Sequence, residues 1–275
     1  MKKQVLTLIA FALTSLCFGQ TDTIFSNNQK ISCSIKEITP DAVKYSFQGE
    51  DLVNSIYKNS VQKIVFKSGR VQTFAEATSF KHVNGVDDFE NVTITQVESE
   101  VRGLFKVGDL SSKAKGATIY SNQERVKERA YRKLKIIAAM MGANIIYVTN
   151  QRTEGNKMGG YYQSGSTSEA SLSGVAYTNQ LPSIDEFKRV INDKKNFTAV
   201  EEASLWSSAS DMSKKNINSN FIISDITNEG GIIMINGELQ GESKYKTFRV
   251  VSFDSDYFNV FCEDKSTAYN IKIKI

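Results

Sequence analysis

Few residues in this chain have the type and spacing to do chemistry. The single histidine, His82, stands between Lys81 and Val83 in a polar stretch, with no second imidazole for a metal or a relay. Cys33 and Cys262 lie far apart, and neither sits in a nucleophile motif or near a His in sequence. No G-x-S-x-G elbow is present. Asp254, Asp256 and Asn259 begin like a calcium loop. Counted from Asp254, however, Asn259 stands where Gly is needed and Lys265 where Glu is needed. Gly155 to Gly165 is glycine-rich but reads as flanked by two strands and lacks GK[ST], so it is no phosphate cradle. No cofactor, metal or catalytic set follows from these residues, and the reading is of a binding protein, not an enzyme.

Two features remain. Between Arg102 and Lys135 ten basic residues face three acidic ones, a local excess of +7. Such a concentration attracts anions. Its helical part gives Arg125, Arg129, Arg132 and Lys133 as candidate anion- or partner-binding residues, with compensation such as Glu128–Arg132 as the alternative. Tyr161 and Tyr162, inside the Gly/Ser-rich segment 155–168, are a candidate loop contact for a partner or glycan.

The elements that must position them can be read in order. Lys2 and Lys3 followed by the apolar run Val5 to Phe18 read as a secretory signal peptide over 1–19, cleaved before Gln20. The run is 14 residues, about 21 Å as a helix and too short to span a bilayer. Acylation at Cys17 is disfavoured by Leu16 before it. The remainder carries a formal charge of only +2, so overall charge names no partner. Export places the chain in the periplasm, at the outer membrane or outside the cell. There the available partners are an envelope protein or an anionic envelope component, not nucleic acid, and oligomeric state stays open. In an oxidising compartment Cys33 and Cys262 can bridge or remain two buried thiols.

The fold class expected is α+β. It comprises a small N-terminal β sheet or barrel (20–80), a central α/β domain with one long helix on a small sheet (81–193) and a small antiparallel β domain (194–275). The first part holds short strands rich in β-branched and aromatic residues. They run from Thr23 to Ser26, Lys30 to Ile38, Ala42 to Phe47, Asn54 to Lys58, Gln62 to Phe66 and Val71 to Phe74. Glu76 to Glu90 reads as a linker, Val92 to Val97 as a strand, and the residues up to Gly116 as a loop. Ser121 and Glu124 form a capping box. Val126, Ala130, Leu134, Ile137 and Met141 share one helical face, and Gly142 ends the helix. Strands are expected at Ile145 to Thr149 and Glu169 to Thr178, with 155–168 a mobile tip between them, then a short helix at Ile184 to Ile191. After Asn196 the chain returns to β structure. The polar stretch Ser204 to Asn220 is expected to hold at most a loose turn, and five further strands follow from Phe221.

Two resemblances attach to these residues. Asp22-Thr23-Ile24, the run Ile31 to Tyr45 and Val61 to Gly69 are similar to the N-terminal β module of uncharacterised exported proteins of Bacteroidota, and more distantly to Sm-like barrels. Arg129-Ala130, Leu134, Ala138-Ala139, Gly142-Ala143-Asn144 and Ile145 to Val148 resemble the helix–GAN–strand core of the small α/β fold of the YbjQ-like and RcsF-like families. That resemblance implies a helix lying close on a sheet. It implies neither stress sensing nor metal binding, because the cysteines that would carry them are missing from this region.

Overall fold

The computed structural model describes residues 21–26, 29–74, 80–159, 165–209, 211–241 and 246–275. The expected signal segment 1–19 and the Tyr161–Tyr162 pair lie outside them. Two compact units are present, Met1–Ala75 and Glu76–Ile275.

The first unit is an antiparallel sheet of six strands: β1 (Asp22–Ser26), β2 (Gln29–Ile38), β3 (Ala42–Ser46), β4 (Asn54–Tyr57), β5 (Val61–Val65) and β6 (Val71–Thr73). Their order is β4-β3-β2-β1-β5-β6, an open sheet and not a closed barrel. Strand β2 pairs with β1 through Gln29 to Cys33 and with β3 through Ser34 to Ile38, so one strand serves both halves of a bent sheet. Alternation puts Ile24, Cys33, Val43, Tyr45, Val61 and Ile64 on the buried face. Asp22 is buried at the seam, and its carboxylate accepts the N–H groups of Ile35 and Lys67, each at 2.9 Å. Cys33 is a free thiol, 1% exposed, and burial pushes its pKa up to about 11.

The second unit joins a sheet, a helix and a barrel, with one core around the helix and another inside the barrel. The sheet has four strands, β7 (Thr93–Thr95), β9 (Ile145–Glu154), β10 (Glu169–Thr178) and β8 (Phe105–Lys115), in that spatial order. Strand β8 lies where a loop was expected. A register shift between Ala176 and Tyr177 leaves an extra residue in β8, which breaks the sequence alternation of its buried positions Val107, Leu110 and Ser112. Within the stretch read as a linker, Glu76 to Glu90, Val86 and Phe89 instead enter the core from a 3₁₀ turn, Val86–Asn91.

The long helix α1 (Gln123–Met140) crosses this sheet. Its cap is Asn122, one residue later than expected, whose side chain accepts the Arg125 N–H. It ends in a Schellman motif: Ala143 N–H bonds the Ala138 carbonyl at 2.9 Å and Gly142 N–H bonds that of Ala139 at 3.0 Å. Gly142, at φ +80°, supplies the left-handed residue this ending needs.

The last six strands, β11 (Asn196–Trp206), β12 (Ser213–Glu229), β13 (Ile232–Leu239), β14 (Thr247–Phe253), β15 (Tyr257–Asp264) and β16 (Thr267–Lys274), close into an antiparallel barrel in sequence order. The polar stretch 204–220, expected as a loose turn, is split between the end of β11 and the start of the 17-residue β12. A helix, α2 (Ile184–Ile191), buries Phe187 and Ile191 in the barrel core. The Phe187 ring lies 5.4 Å from those of Phe253 and Phe258.

Two bulges let the same barrel strands serve two cores. In β11 a register shift between Ala199 and Glu201 follows Phe197 and Ala199, which point inward. Beyond it Ala203 and Leu205 belong to the core around α1. In β14 a second shift after Val250 delivers Val251 to that same core. Consequently α1 is covered on two sides. Ser112 on the sheet side donates to the Ala130 carbonyl at 2.7 Å, and Asn270 on the barrel side donates to that of Met140 at 3.0 Å. The core around α1 draws residues from both sides of position 193/194. Among the described residues no helix is long and apolar enough to cross a membrane.

Candidate functional site

Four of the basic residues singled out in the sequence lie on α1, and the helix separates them. Arg125, Arg129 and Arg132 recur at intervals of four and three, so they share one face. That face, with Tyr120 and Tyr131, lines an open hollow of about 920 Å³. Lys133 does not belong to it. It follows Arg132 by one residue, a rotation of about 100°, and is only 3% exposed.

The ammonium of Lys133 donates to the carbonyls of Lys113, at 3.0 Å, and Ser207, at 2.6 Å. It thus ties the helix to β8 and to the end of β11. Burial lowers its pKa below the ordinary lysine value. Lys133 is a cross-brace inside the unit, which corrects its expected place on the solvent face.

Within the hollow the arginines differ. The Arg132 guanidinium is held by Glu90 at 3.1 Å and Asp211 at 3.0 Å, and it lies 4.5 Å over the Phe89 ring. Lys135 shares Glu90 at 3.6 Å. The compensation given as the alternative, Glu128–Arg132, is replaced at Arg132 by longer-range pairs. These fasten α1 to the 3₁₀ turn and to the β11–β12 connection. Arg129 donates to the Lys115 carbonyl at 3.0 Å and has no acidic partner among the described residues. Arg125 is exposed, and its side chain likewise has no acidic partner among them. Of the four basic residues that line the hollow, Arg125 and Arg129, one helical turn apart, are the two without a carboxylate partner among the described residues.

Aromatic and polar groups frame the pair. Tyr120, 83% exposed, stands just before the helix cap. The Tyr131 hydroxyl donates to Gln151 at 2.6 Å, which fixes its ring at the wall. Asn156 donates to the Ser121 carbonyl at 2.9 Å and accepts the buried Ser168 N–H at 2.7 Å, while Lys157 and Ser166 form a two-bond antiparallel bridge. The base of segment 155–168 is therefore fastened beside the hollow, contrary to its expected freedom as a whole. Glu90, Tyr120 and Tyr131 were not among the sequence candidates. Only Tyr131 carried a signal, since it neighbours Arg132 on a helix already assigned.

Other candidates separate. Asp254 Oδ1 accepts the N–H groups of Asp256 and Tyr257, the hydrogen bonds of a hairpin turn. Cys262 is buried in the barrel core, and neither it nor Cys33 forms a disulfide. Among the described residues no group of three or more His, Cys, Asp or Glu is placed to hold a metal ion. No known protein family matches the chain, and no curated protein or solved structure is similar to it.

Proposed function

We propose that this chain is an exported, non-enzymatic protein of the cell envelope that binds an anionic group borne on a sugar. The site is the hollow on the first two turns of α1. A resemblance to exported Bacteroidota proteins and to the YbjQ-like and RcsF-like fold remains part of this reading, on the residues quoted for it. The observation that carries the proposal is the pair Arg125 and Arg129, both without a carboxylate partner among the described residues and framed by Tyr120 and Tyr131. Guanidinium forks match carboxylate and phosphate oxygens, and an exposed tyrosine offers a rigid face with a polar tip.

Lipopolysaccharide phosphates, anionic phospholipid headgroups and acidic glycans share this chemistry. Three arms of one titration distinguish them: lipopolysaccharide micelles, phosphatidylglycerol vesicles and polygalacturonate. The proposal expects saturable binding to at least one sugar-bearing arm, weakening as salt rises. Binding to none of the three at low salt overturns it. Binding to phosphatidylglycerol alone would place the specificity in charge and remove the sugar from the account.

A further inference from the structure

The sheet of the second unit ends at β8, an 11-residue strand paired along one side with β10. Among the described residues no strand pairs with its other side. Lys133 reaches the Lys113 carbonyl there, and Arg249 reaches that of Val107 at 2.6 Å. Backbone groups alternate sides along a strand. The N–H and C=O groups of Asp109 and Ser111 therefore face the same free side as those of Lys113.

This edge is one wall of a cleft of about 1010 Å³, and Leu205 to Ser207 with the β15–β16 turn form the opposite wall. Leu110, Leu172 and Leu205 behind it are buried core, Ile137 is half-buried, and Trp206, 60% exposed, stands at the rim. Two of the charged residues lining the cleft are ion-paired, Asp109 with Lys106 at 2.9 Å and Lys113 with Glu169 at 2.6 Å, and Glu263 and Lys265 line it as well. Lys133 is the buried one. Its ammonium has three protons, two of which go to carbonyls, and no carboxylate pairs with it among the described residues.

An unpaired strand edge and a buried cation with a donor to spare call for one kind of guest. We infer that the cleft takes the C-terminal segment of a partner polypeptide as an added strand, with its terminal carboxylate on Lys133. Lys133 lies at the Lys113 end of β8, so the guest runs parallel to β8. Six residue steps separate Val107 from Lys113, about 20 Å of strand, and this limits the guest to about five residues. Strand addition supplies affinity through main-chain hydrogen bonds, and the carboxylate supplies selectivity.

The test uses the full chain, isotopically labelled, and two pools of pentapeptides randomised at every position. One pool ends in free carboxylates and the other in amides. The free-acid pool should shift the amide resonances of Asp109, Ser111 and Lys113, and the amidated pool should need at least tenfold more peptide for the same effect. Ser111→Pro removes an outward N–H at an edge position where proline is tolerated, and it should abolish the response. If that variant does not fold, the comparison of pools decides alone. No shift with either pool overturns the inference, and equal shifts with both remove Lys133 from it. A chitotetraose probe that moves the Trp206 indole while both pools stay silent would make this a saccharide cleft and overturn the peptide assignment.

Discussion

Lys133→Met separates a structural lysine from a ligand-binding one. Methionine keeps most of the apolar stem and removes the ammonium. Two charge-assisted hydrogen bonds are lost, to the carbonyls of Lys113 and Ser207, each worth about 1.5–3 kcal/mol. Against this, the variant no longer carries the desolvation cost of a buried ion, which is several kcal/mol. Both freed carbonyls belong to residues with exposed side chains near a cleft, so water can reach them. The balance is a loss of about 2 kcal/mol at neutral pH, or about 4–8 °C in the midpoint for a unit of this size.

The loss should also depend on pH. The folded Lys133 pKa lies below its ordinary value of 10.5, so between the two the unfolded chain binds the extra proton. Wild-type stability therefore rises through that window relative to the variant, and the deficit of Lys133→Met grows as pH approaches 10.5. Urea titrations across the window, with Arg125→Met as an exposed control expected within about 0.5 kcal/mol of wild type, check both parts. A Lys133→Met variant as stable as wild type, or a deficit that shrinks with pH, would refute the reasoning.

Phe258→Ala should be the more damaging change. Its fully buried ring meets those of Phe187, Phe197 and Phe221 at 5.4, 5.2 and 6.1 Å, and its removal should cost about 4–5 kcal/mol in a thermal or urea melt. In the first unit, Cys33 titrates near 9 when unfolded and about 11 when folded. Its contribution is therefore full below pH 9 and is lost towards pH 11, up to about 2–3 kcal/mol in all. Cys33→Ala should flatten that alkaline slope in urea titrations followed by circular dichroism.

Much of the β structure was legible because the signals were local. Strands β1 to β6, β10 and helix α2 lie within a residue or so of where alternation, turn residues and capping place them. The parts that were not legible depend on partners distant in sequence. β8 is an edge strand whose alternation is broken by a bulge, and the start of β12 is almost wholly polar because it faces solvent. Val86 and Phe89 become core only once α1 lies over them. Closure of the barrel rests on β11 meeting β16, a pairing without a local signature.

The candidate site shows the same division. Helical spacing correctly groups Arg125, Arg129 and Arg132. That spacing also places Lys133 seven residues after Val126 and four before Ile137, on the flank of the apolar stripe. The charge excess drew attention away from that position. What the sequence could not show is that Glu90 and Asp211, distant along the chain, neutralise Arg132.

The most direct measurement of the central claim compares two charge removals on one helix. Arg125 and Arg129 changed together to glutamine should weaken binding of lipopolysaccharide or polygalacturonate by roughly 30-fold, at about 1 kcal/mol for each cation near an anionic surface. Their melting point should stay within a degree or two of wild type. Arg132→Gln, which breaks two ion pairs inside the protein, should lower the melting point and leave affinity within a few-fold. Unchanged affinity in the double variant, or an equal loss in Arg132→Gln with the fold intact, would contradict the account.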